Sequence, residues 1–169
     1  MTELSLLLIR SILIGIGATL AFDAGGQVLK HAFRIPPSNI CLIGRWFRTM
    51  PEGRLRHANI ASSPPKGAEC AVGWVAHYLI GITLALVFVA LAGDRWLQQP
   101  TPLPAVVYGV VTVLAPFAIM QPLLGLGFAA SKTPHPTQAR VRSLMNHTAF
   151  GVGLYVFAWL ANWLSAVLA

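Results

Sequence analysis

The sequence predicts an all-α polytopic membrane protein, a four-transmembrane-helix bundle forming a single membrane domain over residues 1–169. Three observations lead there. Hydrophobic residues make up 56% of the chain and charged residues only 10%, whereas a soluble domain carries about a quarter charged residues. Four segments reach the ~20 mostly apolar residues that a spanning helix needs. Ten of the twelve Lys and Arg residues fall in the two loops that would share one side of the membrane.

The first segment, about residues 4–30, holds Arg10 near its start and Asp23 inside. Its apolar run begins before Arg10 and lacks a small-x-small cleavage site, so it is expected to stay as a span rather than act as a signal peptide. The second (70–93), the third (103–130) and the fourth (143–168) contain no Lys, Arg, Asp or Glu. All are too long for strands and lack the alternation of a barrel.

The loop over residues 31–69 supplies Lys30, Arg34, Arg45, Arg48, Arg54, Arg56 and Lys66 at or near its ends and within it; the loop between the third and fourth helices supplies Lys132, Arg140 and Arg142. Basic loops stay cytoplasmic, so both termini are expected in the periplasm. Trp96 and Trp163 would then mark the outer interface, with Trp46 and Trp74 near the inner one. The same charge bias accounts for the net +7 without nucleic acid, for which no recognition module is present. Within the long loop, Ser38 is placed to cap a short helix in "NICLIGRWFRTM" that Pro51 ends. Ile40, Ile43, Phe47 and Met50 share one face of it, as in an amphipathic helix lying in the membrane surface. Cys41 and Cys70 fit no metal-site or disulfide spacing.

Polar residues inside the spans point to a site. Counted from the inner helix ends at about 1.5 Å per residue, Asp23, His77, Gln121 and His147 fall within one slab, about 8 to 15 Å deep. Ionisable groups at such depth normally face the bundle interior or water. Asp23 lies on the row Ser11, Gly15, Thr19, Asp23, Gln27, suited to close helix packing. Its expected partner is His77 or His147; a purely structural pairing with Arg10 or a loop arginine is the other reading. His77-x-x-x-Gly81 and His147-x-x-x-Gly151 also hint at two tandem helical hairpins. In the third helix, Pro116 and Pro122 break hydrogen bonds beside Gln121 and free the carbonyls of Thr112 and Ala118 for water, a ligand or a packing kink.

Beneath the slab, Arg54, Arg56 and His57 are candidates to hold a phosphate or headgroup, with topology and anionic-lipid contact as the plainer reading. Asp23, His77 and His147 form a candidate catalytic set, with Gln121 and Gln27 as further ligand-binding residues. They are also a two-His-one-carboxylate set of the kind that binds a metal ion, with His57 and Glu69 in reserve. Haem ligated by the two histidines is a weaker alternative. No nucleotide loop or nucleophile elbow occurs.

The stretches "LIGIGATLAFD", "GRWFRTMPEGRLRHANI", "GWVAHYLIG", "TVLAPFAIMQPLLGLGFAASKTP" and "RVRSLMNHTAFGVGLY" cover most of the chain. In them the sequence resembles the DUF2938 family, small bacterial inner-membrane proteins of uncharacterised activity. "FDAGGQ" departs from that resemblance at Gly25-Gly26. The resemblance implies a bacterial membrane protein and adds no mechanism.

The expected function is therefore binding or processing of an amphiphilic, anionic-headed molecule in an intramembrane polar pocket near the cytoplasmic face. A small proton-coupled transporter and a non-catalytic membrane-complex subunit are the rival readings. Membrane lipid is the expected partner, with a homodimer or larger complex as further possibilities.

Overall fold

The computed structural model describes residues 3–168 and contains, among them, helices and no strands. The order is α1 (Glu3–Phe33), α2 (Ile40–Thr49), α3 (Glu69–Gln98), α4 (Pro102–Thr112), a π-helical turn (Pro116–Met120), α5 (Gln121–Leu123) and α6 (Pro136–Leu168). Four helices are long and apolar enough to cross a membrane: α1, α3, the Pro102–Leu123 unit and α6. The four-helix membrane architecture read from composition is thus the one found.

Boundaries differ from expectation where special residues act. The third span leaves the helix after Leu123, not at Ala130, because Gly125 (φ 82°) and Gly127 (φ 75°) turn the chain left-handed. The fourth begins at Pro136, a full turn and more before Ser143, so Arg140 and Arg142 lie on the helix. Their side chains reach back to loop carbonyls: Arg140 Nε donates to Ala129 O and Arg142 Nη1 to Pro36 O.

The main packing is α1 on α6, α4 on α6, α1 on α3 and α2 on α3, while α3 and α4 touch little. Lipid tails are as apolar as leucine, so such contacts rest on close fit between small residues. At the α4–α6 crossing, a Cβ on Gly109 would sit 2.5 Å from Gly151 Cα. The end of the bundle holding the outer helix ends is filled by an apolar core: Ile14, Ala18, Ala85, Phe88, Leu154 and Ala158 are buried together with Trp96. Trp96, in the last turn of α3, faces inward there, its Nε1 donating to Thr101 O.

The loop helix α2 is more firmly docked than a surface helix. Asn39, not Ser38, caps it, its Oδ1 accepting from Cys41 N. Gly44 meets Gly73 of α3 so closely that a Cβ on Gly44 would lie 1.7 Å from Glu69 O. Cys41 and Cys70 form a disulfide across this contact. Spacing alone concealed the pair, because only the fold of α2 back onto the first turn of α3 brings the two together. Arg45, 8% exposed, completes the junction. Its Nε and Nη2 each donate to Glu69 at 2.8 Å, and its Nη1 donates to Ile60 O and Ser63 O. The hydrogen bonds to Glu69 hold the Arg45 guanidinium above its ordinary range.

Candidate functional site

The half of the bundle nearer α2 is not filled. A cavity of about 270 Å³ is bounded by Thr19 and Phe22 of α1, His77 and Leu84 of α3, Thr112 of α4, Met120 and Gln121 of the broken third span, and Asn146, His147 and Phe150 of α6. Ile43 and Trp46 of α2 cover it. Its wall includes Ile80 of α3 and Ile119 of the π turn, which are 41% and 58% exposed. The gap between α3 and the third span therefore opens sideways, toward where lipid would lie.

The π turn shapes that wall. Proline at 116 cannot donate, and the helix widens there: Gln121 N reaches five residues back to Pro116 O. Local widening of this kind commonly redirects a side chain at a site. Here it buries Gln121, with its Oε1 lacking a partner. Asn146, 3% exposed, likewise leaves Oδ1 unpaired. An unpaired buried polar atom costs about 1–3 kcal/mol, a cost carried here by two residues of the cavity wall.

The two histidines line the same cavity from opposite sides of Phe22, whose ring packs edge-on against both, at 5.2 Å from His77 and 5.4 Å from His147. His77 Nε2 lies 2.9 Å from Asp23 Oδ1, and Tyr78 donates to Asp23 Oδ2. His147 Nδ1 lies 2.9 Å from Thr112 Oγ1. Asp23 itself stands behind His77 and does not line the cavity.

Of the sequence-derived residues, Asp23 and His77 pair directly, and His77, Gln121 and His147 share one cavity. Gln27 is exposed and stands apart from it. Asp23, His77 and His147 do not converge as a metal set. Among the described residues no three His, Cys, Asp or Glu side chains do, because Phe22 packs against both imidazoles and Thr112 occupies one of them. Glu69 is committed to Arg45. The sequence marks Thr112 only for its freed carbonyl, and marks Asn146, Tyr78 and Arg45 as neither site nor anchor. The signals were Asn146 beside His147 and Thr112 one turn before Pro116.

A second hollow, open and basic, lies at the loop end of the broken span. Arg56, His57, Gly125, Gly127, Ser131 and Lys132 line it together with Pro122, the residue after Gln121. Arg54 is exposed outside this lining. His57 has both ring nitrogens engaged, Nε2 with Thr49 Oγ1 at 3.0 Å and Nδ1 with Ser63 Oγ at 3.3 Å. Its backbone N also donates to Leu123 O, tying loop to broken span. Nearby, the Lys66 ammonium hydrogen-bonds Glu52 and holds that carboxyl below its usual range.

Four apolar spans around a largely apolar cavity define a polytopic membrane protein. Residues 12–161 match the family described as protein of unknown function (DUF2938), and the chain belongs to that family. No curated protein and no solved structure matches it.

Proposed function

We propose that this chain is a bacterial inner-membrane protein that binds, or acts on, an amphiphilic molecule with an anionic head. The observation that carries the reading is the apolar cavity, open sideways between α3 and the third span, with Gln121, Asn146 and the two histidines in its wall, together with a basic hollow that begins at Pro122. An apolar body fits the cavity, while Arg56 and Lys132, with Arg54 at the margin, attract the head. The Asp23–His77 pair is a place to exchange a proton with whatever occupies the cavity.

Orientation follows the basic loops: ten of the twelve Lys and Arg residues favour placing the α2 face in the cytoplasm and both termini in the periplasm. The disulfide on that face pulls the other way, because disulfides persist in oxidising compartments. We follow the charge bias, which spans two separate loops.

Native mass spectrometry with metal analysis of the detergent-purified protein tests the reading. One amphiphile per chain is expected. Bare protein throughout would contradict it, and a stoichiometric metal would redirect it. A proton-coupled carrier is the second reading, favoured by the π-helical break beside the Asp23–His77 pair. Uptake into proteoliposomes, lost in Asp23→Asn, would select it.

A further inference from the structure

The basic hollow is framed by two segments far apart in sequence, residues 56–58 and 122–132, around a volume of about 570 Å³. Backbone hydrogen bonds join them, His57 N donating to Leu123 O at 2.8 Å and Ile60 N to Leu124 O at 3.0 Å. Within the second segment Lys132 N donates to Leu126 O. Gly125 lies so near the first that a Cβ on it would sit 2.2 Å from Ala58 O. Arg56 and Lys132, the two cations of the lining, are thus carried on braced backbone rather than on free loops.

Their charge is uncompensated. No carboxylate lines the hollow. Of the five Asp and Glu residues, Glu69 is taken by Arg45, Glu52 by Lys66 and Asp23 by His77. Glu3 opens α1 and Asp94 lies near the end of α3, both on the far side of the bundle. Among the described residues Arg56 and Lys132 therefore have no carboxylate partner. The lining also holds the Ser131 hydroxyl, Pro122 and Phe128, which is 65% exposed.

From this we infer that the head held in the hollow is a phosphate monoester in its dianionic form, so that the ligand is a monoester amphiphile rather than a phosphodiester lipid. A monoester presents three terminal oxygens and close to two charges at neutral pH. A guanidinium takes two oxygens in parallel and an ammonium takes another as a point charge, which matches Arg56 with Lys132. A diester offers two terminal oxygens and one charge, and leaves one of the two cations unmatched. Pro122 and Phe128 give the apolar chain its path away from the head. The inference rests on the amphiphile reading and deepens it.

The test is native mass spectrometric titration of the full chain in a neutral detergent with dodecyl phosphate and with its methyl ester, a diester with the same chain and one charge fewer. At about pH 7.5 the monoester is expected to bind about tenfold more tightly, the size of one further ion pair at a partly exposed site. At about pH 5 the monoester holds its second proton, and the ratio should fall toward one. His57 also lines the hollow, but any proton it gains there meets a monoanion in both cases. Arg56→Gln with Lys132→Gln should remove the preference, whereas Arg48→Gln, at an exposed position outside the lining, should keep it. Equal affinities at about pH 7.5, or a preference that survives at about pH 5 or in the double variant, overturn the dianion and leave the amphiphile reading standing. Binding of neither lipid overturns both. Butyl phosphate binding as tightly as dodecyl phosphate would keep the dianion and overturn the amphiphile.

Discussion

Asp23 and His77, 54 residues apart in sequence, meet at 2.9 Å inside the bundle, and the contact joins α1 to α3 beside the cavity. The carboxylate accepts from the imidazole nitrogen that faces it, so Nε2 carries hydrogen. Asp23→Asn keeps a hydrogen-bonding shape and removes the charge. It should cost about 1 kcal/mol of stability. Ligand retention should fall about tenfold, equivalent to about 1.4 kcal/mol. Native mass spectrometry beside a thermal melt separates the two effects.

Gly44→Ala should unseat α2. Its Cβ would fall 1.7 Å from Glu69 O, and the mirror substitution Gly73→Ala places one 2.2 Å from Ile40 O. Either should cost about 3 kcal/mol, the upper range for overpacking. Each should also lower the yield of the Cys41–Cys70 disulfide under mild oxidation, read by electrophoretic mobility. Gly67→Ala meets nothing within 4 Å. It should stay within about 0.5 kcal/mol of the parent.

Arg45→Lys should loosen the loop although the charge is kept. The guanidinium reaches both Glu69 oxygens and two carbonyls at once, which an ammonium on a flexible stem cannot reproduce. Faster proteolytic cleavage between residues 50 and 66, together with a lower melting temperature, is the expected result. Unchanged cleavage would assign the anchoring to the disulfide and glycine contact alone.

With the α2 face in the cytoplasm, Cys41 and Cys70 should be recovered as thiols from growing cells and close only on oxidation. Alkylation with a mass tag under denaturing quench measures this, beside a fluorescent reporter fused to the C-terminus. Tagged thiols and a dark reporter are expected. A closed pair with a bright reporter would invert the orientation.

How much of this was legible in advance varied by residue. The spans were, because uninterrupted apolar runs leave a chain few alternatives. So was the convergence of His77, Gln121 and His147, because equal depth on neighbouring helices leaves the interior as the cheapest place for polar groups. The ends of the third and fourth spans were less so: positive φ at Gly125 and Gly127 and a proline start at Pro136 decide them locally. Gln27 shares the Asp23 row yet faces outward, since α1 packs there on a narrower stripe than row arithmetic assumes. The disulfide and the Arg45–Glu69 junction depend on α2 folding back onto α3, a tertiary event without a local signal.

The central claim is that a lipid-derived molecule enters sideways past Ala115 and Ile119. Ala115→Trp should plug that opening, whereas Leu114→Trp introduces the same side chain at a position that does not line the cavity. Quantifying the amphiphile retained per chain by native mass spectrometry compares them directly. Occupancy should persist in the parent and in Leu114→Trp and be lost in Ala115→Trp. Equal occupancy in all three would contradict the account.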